Sequence, residues 1–202
     1  MLLLIFIYNS FLVFGLNIFY NDYEFTSRVA SFSNAIVSVI GGGFYILNMI
    51  NINLFQYFII YNAVYTSTDI VLYVTNKVSN NDILEMMVHH VFFLLAGYCS
   101  YNLYLEPIYY AYGMMSESST IFLNTRWFGH HKYIKDSTIY TTLFWISFLI
   151  FRIINMVYVS YSILISSYNY YFVLVFPFVI LNSIWFYKLT IKFFGVGYKS
   201  GP

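Results

Sequence analysis

Apolar residues run through this chain in long blocks, with polar positions gathered into short breaks between them. Seven blocks have lengths near the ~20 residues that an α-helix needs to cross a bilayer: 2–20, 32–50, 54–74, 84–101, 104–123, 138–160 and 169–194. Two breaks are short, Asn51-Ile52-Asn53 and Glu106-Pro107, and predict tight helical hairpins. Gly41-Gly42-Gly43 falls inside the second block, where glycine allows close helix approach or a local kink. The pattern predicts an all-α, multi-pass transmembrane helix bundle of about seven spans. The first block lacks a basic leader and a small-residue cleavage site, so it reads as a retained span and not as a secretory signal.

Charge fixes the alternation of the loops. With seven spans, Arg28, Lys77, Arg126, Lys132, Lys135, Lys188, Lys192 and Lys199 share one side, and Arg152 alone falls within a span. The positive-inside rule makes that side cytosolic, the N-terminus lumenal and the C-terminus cytosolic. Composition agrees with a membrane protein, at 60% hydrophobic and 8% charged residues. A net charge of +1 gives no electrostatic footprint for nucleic acid. The single cysteine rules out a disulfide framework.

Against this background the rare polar groups stand out. His89-His90 interrupts an apolar run in a chain with four histidines. Ionisable groups at membrane depth normally face the bundle interior, pair with each other and mark function. Counting from the basic side at 1.5 Å per residue puts His89 about 10 Å deep, Asp69 about 12 Å, Glu117 about 13 Å and Asn34 about 9 Å. Four spans thus bring their polar groups to one level, which predicts one polar cluster. Arg152, counted from Lys135, is expected toward the opposite face, pairing with a carboxylate or snorkelling to lipid headgroups.

The chemistry of such a cluster is open from the residues alone. Adjacent helical positions point about 100° apart, so His89 and His90 are poorly placed to share an ion, and no metal site is expected. An imidazole oriented by Asp69 or Glu117 suits general acid–base catalysis. A lattice of polar groups that only fixes helix register suits the residues equally well. His130-His131-Lys132 reads as a solvated loop on the basic side. Lys188 and Lys192, after Trp185, read as an interfacial anchor.

The stretch Glu117-Ser118-Ser119-Thr120-Ile121-Phe122-Leu123-Asn124-Thr125-Arg126-Trp127-Phe128 resembles a characteristic run of TLC-domain proteins. The upstream Tyr65-Thr66-Ser67-Thr68-Asp69, the His89-His90 pair, Phe151-Arg152 and Asn182-Ser183-Ile184-Trp185-Phe186 are similar to further parts of that domain. The resemblance implies an N-terminal span over 1–24, a six-helix TLC domain over 25–195 and a short cytosolic tail over 196–202. It maps the family's catalytic histidines onto His89 and His90, and a lipid pocket onto Asp69, Glu117, Asn34 and Arg126. In ceramide synthases of this family paired aspartates stand where Glu117 and Thr120 stand here, and Asn34 replaces an early histidine. The likeness is therefore to the small TLC domain-containing branch, which implies membrane lipid homeostasis in the endoplasmic reticulum. Membrane lipids, sphingoid bases or fatty acyl groups are the implied partners, with no cofactor. Two rivals are an N-acyltransferase with acyl-CoA as co-substrate and a non-catalytic cargo or interaction protein.

Overall fold

The structure is a computed structural model that describes residues 23–75, 80–135 and 138–195. The block at 2–20 lies outside the described residues, as do Lys77 and Lys199. The described chain is helical: α1 (Tyr23–Ile46), α2 (Ile52–Thr75), α3 (Asn80–Tyr101), α4 (Pro107–Met115), α5 (Ser118–His130), α6 (Thr138–Phe148), a π-helical turn (Leu149–Ile154), α7 (Asn155–Ile165), a 3₁₀ turn (Asn169–Tyr171) and α8 (Phe172–Phe194). The π turn joins α6 and α7 into one rod.

The expected count of seven spans is not supported. Among the described residues, Glu24–Ile46, Thr138–Ile165 and Asn169–Phe194 are long and apolar enough to cross a membrane. The other segments fall short for physical reasons. α2 carries Asn62, Thr66 and Asp69, all buried inside the bundle. The segment from Pro107 to His130 is interrupted at Ser116-Glu117, leaving pieces of 9 and 13 residues. At 1.5 Å per residue these reach about 14 and 20 Å, against a hydrocarbon core of about 30 Å.

Both hairpin turns behave as the polar breaks predict. Asn48 and Leu103 take left-handed backbone conformations, φ 56° and 59°. The Asn51 side chain accepts a hydrogen bond from Leu54 N at 2.9 Å and caps α2. Pro107 opens α4 at a position where its missing N–H costs nothing.

Neighbouring rods run antiparallel and close into a ring. Contacts lead from α1 to α2, α2 to α3, α3 to α8, α8 to α6 and α7, α6 to α5, and α5 back to α1. At one end Trp127 Nε1 donates to Glu24 and Trp145 Nε1 to Thr190. At the other, Gln56 donates to the Tyr101 carbonyl. This alternation brings Arg28, Arg126, Lys132, Lys135, Lys188 and Lys192 to the same, basic end.

The short α4 leans into the far half of the ring and touches α1, α3 and α7. Its Tyr110, Ala111 and Met114 join Phe55, Ile59, Phe93, Leu105, Val159, Ile163 and Phe178 in a continuous apolar core. Gly42 makes the approach possible: a Cβ there would lie 2.8 Å from the Ala111 carbonyl oxygen. The glycine run is thus a close-packing device in an unbroken helix. Far from the basic end the ring is plugged; near it, the ring is open.

A polar cavity at the basic end of the bundle

A cavity of about 620 Å³ occupies the open half, within the usual range for small-molecule sites. Asn34 from α1, Asp69 from α2, His89 and His90 from α3, and Glu117 from the junction before α5 all line it. The groups expected in one cluster thus line one cavity. Arg126, expected in the same pocket, is not among the lining residues.

His90 and Asp69 are joined by a buried hydrogen bond, with His90 Nε2 and Asp69 Oδ2 2.8 Å apart. The carboxylate holds that imidazole in one orientation. His89 points another way, its ring 5.5 Å from that of His90, as expected for consecutive helical positions. It sits in an aromatic box of Phe93, Phe178 and Trp185, with ring centroids 6.1, 5.3 and 5.6 Å away. Its Nδ1 is buried without a hydrogen-bond partner. His89 also borders a second, apolar crevice of about 30 Å³ that leads toward Met156, Val159 and Val175.

Arg152 corrects the expectation from depth counting. It is buried in this cluster, not at the opposite face. Its Nε donates to Ser119 Oγ at 2.6 Å, and its terminal nitrogens donate to Thr120 Oγ1 at 2.8 Å, Asn182 Oδ1 at 3.4 Å and Glu117 Oε1 at 3.5 Å. The count went wrong at its reference point. Helix α5 continues past Arg126 to His130, adding about 6 Å to the depth of Glu117 at 1.5 Å per residue. Glu117 and Arg152 therefore meet near the middle of the bundle. The π-helical turn carries Arg152 at this point, and such turns recur at functional sites.

This cradle accounts for motif residues that sequence reasoning left without a role. Glu117, Ser119 and Thr120 of the Glu-Ser-Ser-Thr run all bind the Arg152 guanidinium, as does Asn182. Trp185 stacks toward both Arg152 and His89. The missed signal was a single intramembrane arginine in a chain holding a matching set of buried hydroxyl and amide acceptors.

The family model for the TLC domain matches residues 2–191. The chain belongs to the TLC domain family. No curated protein and no solved structure matches it. In this TLC domain the segments that carry the likeness, separate along the chain, meet around one cavity through Asp69, the histidine pair, Glu117, Ser119, Thr120, Arg152 and Trp185.

At the rim of the TLC cavity the charges are wetter. Glu85, at i−4 from His89, is held by Trp185 Nε1 and by Lys188 Nζ at 2.7 Å. Lys188 is thus tied to α3, which the expectation of a simple interfacial anchor did not include. Glu24 accepts from Trp127 Nε1 at 2.8 Å and lies 3.9 Å from Arg28. His130, His131 and Lys132 are exposed beyond it, as expected of a solvated loop, with His131 stacked on Trp127 at 4.1 Å.

Proposed function

We propose that this TLC-domain protein binds a membrane lipid in the polar cavity and serves membrane lipid homeostasis, with the basic end in the cytosol and the N-terminus in the lumen of the endoplasmic reticulum. The observation that carries this is the cavity itself. Carboxylates, imidazoles and guanidinium groups from five rods, with Trp185 from a sixth, surround about 620 Å³ inside an otherwise apolar bundle. Polar groups are expensive at membrane depth, and an arrangement with room for an amphiphile gives them a use beyond holding helices. The plugged far half limits access to the basic end or to the seams between helices.

A second reading has its own support. His89, with an uncommitted ring nitrogen, lies beside a His90 fixed by Asp69, which suits a general base for N-acyl transfer. Acyl-CoA would approach from the basic end and a sphingoid base would lie in the membrane.

One experiment separates the two. The full chain and a His89→Ala/His90→Ala variant are purified alike, checked for equal unfolding temperature, and analysed by mass spectrometry for co-purified lipid and for acyl transfer with acyl-CoA and sphingosine. Lipid binding predicts one enriched lipid class in the wild type, reduced about tenfold or more in the variant, with no turnover. Turnover by the wild type alone establishes the transferase. Absence of both from the wild type leaves the cluster as a structural feature and the chain as a cargo or interaction protein.

A further inference from the structure

Every charged side chain lining the cavity already has an ionic or hydrogen-bonding partner. Glu24 faces Arg28, Glu85 faces Lys188 and Glu117 faces Arg152, while the Asp69 carboxylate is hydrogen-bonded to the His90 imidazole at 2.8 Å. The two pairs deep in the cavity are buried, and a charged ligand head would have to break one of them. Such a head would leave behind an uncompensated charge in a low-dielectric site, a cost of several kcal/mol. The guanidinium of Arg152 is further committed to Ser119, Thr120 and Asn182. Neither a phosphate nor an ammonium therefore finds a free counter-charge inside.

What does remain open is neutral. Asn34 lines the cavity, is 4% exposed, and its Oδ1 accepts no hydrogen bond. Its backbone carbonyl is occupied by the Ser38 hydroxyl at 2.7 Å, while the side-chain oxygen is not. His89 lines the same cavity, and its Nδ1 is likewise without a partner. In the Nε2–H tautomer that nitrogen is an acceptor. Buried polar atoms are normally satisfied, and each exception calls for an explanation. Two buried neutral acceptors without partners, both on residues that line one cavity, match a head with hydroxyl donors.

We infer that the cavity selects a lipid with an uncharged, hydroxyl-bearing head, and discriminates against both phosphate and ammonium heads. This rests on the proposal that the cavity binds a lipid, and adds the class of head that it takes. Asn34 is the specificity-determining residue, donating nothing to the ion pairs and offering the carbonyl that a hydroxyl would meet.

The test holds the acyl chain constant and varies the head. The full chain in phosphatidylcholine nanodiscs is titrated with monomyristoylglycerol, myristylamine and myristyl phosphate, and occupancy is read by native mass spectrometry. The expected order places monomyristoylglycerol about fivefold or more ahead of both charged probes, the equivalent of about one hydrogen bond. Asn34→Leu lowers the affinity for monomyristoylglycerol about fivefold and leaves the charged probes unchanged. Asn34→Asp, which keeps the shape and adds an unpaired carboxylate, shifts the preference to myristylamine. A wild type that binds the phosphate or the amine tightest, or all three alike, overturns the head selectivity while leaving lipid binding intact. A wild type that binds none of them overturns both.

Discussion

The two halves of the helix ring hold opposite interiors behind the same wall. Around α4 the ring encloses Phe93, Leu105, Tyr110, Met114, Ile163 and Phe178, all apolar or aromatic and packed against each other. Toward the basic end it encloses Asn34, Asp69, His89, His90, Glu117 and Arg152 around open space. The dividing point is the break at Ser116-Glu117, where one short helix leans into the lumen and the next returns to the wall. The difference teaches that the polar half is kept by mutual pairing and the plugged half by shape. In a bilayer the second matters because lipid tails are as apolar as leucine, so contact quality and not water exclusion decides packing.

The comparison breaks most sharply at Arg152. Replacing it with Met leaves Glu117 buried beside Ser119 and Thr120 without its cation. Removing one partner of a buried pair typically costs about 3–5 kcal/mol, whereas replacing both with apolar residues is often close to neutral. Arg152→Met is therefore expected to lower stability by about that amount in reversible unfolding in micelles, and the Arg152→Met/Glu117→Leu pair to recover most of it. Equal losses in the single and double variants would mean that the polar half is not held by pairing.

A core truncation probes the plugged half. Met114 is fully buried in α4, and Met114→Ala is expected to cost about 2–4 kcal/mol. Lipid occupancy of the polar cavity should change by less than about 0.5 kcal/mol, because separated sites act additively. Loss of ligand in this variant would show that the halves are not independent.

Adjacent glycines sharpen the role of shape. Gly42→Ala places a methyl 2.8 Å from a backbone oxygen that cannot rotate away, for an expected loss of about 1–3 kcal/mol. At Gly43 the nearest atom is Met115 Sδ at 3.9 Å, an ordinary contact. Gly43→Ala should instead gain about 0.5–1 kcal/mol from helix propensity. Thermal unfolding of the two variants in parallel should move in opposite directions, and the same sign for both would remove the close approach as the cause.

How far the sequence reveals this division depends on which residues are asked. Apolar blocks and loop charges gave the helical class, the hairpins and the clustering of Asn34, Asp69, His89, His90 and Glu117, because rarity and depth are readable along one chain. Arg126 was placed in the pocket by the resemblance and is not among the residues that line it, whereas Arg152 was misplaced by the count itself. Depth was counted from loop residues: α5 runs one turn beyond Arg126 and α6 starts only at Thr138, so Glu117 lies deeper than counted and Arg152 shallower, and the two meet. The leaning of α4 was not legible at all. It depends on Gly42 meeting Ala111 across helices, and no periodicity within either segment encodes that contact. Nor could spacing tell that Trp185 and Asn182, about a hundred residues from Glu85 and His89 along the chain, would complete the site.

The smallest effect concerns the rim. Lys188 and Glu85 approach to 2.7 Å, a shorter distance than the 3.5 Å between Arg152 and Glu117. By length alone the rim pair would be the stronger. Yet the Lys188 side chain is 56% exposed, where water screens the attraction and ordering a flexible chain offsets part of it. Lys188→Met is therefore expected to cost less than about 1 kcal/mol, and less still at high salt. Glu85 keeps its bond from Trp185, so the indole stays over His89 and Arg152. The wild type and variant should unfold within a few degrees of each other and bind the same ligand. A loss from Lys188→Met as large as that from Arg152→Met would mean that the rim is as dry as the interior, and that the cavity is closed to water at the end where it is expected to open.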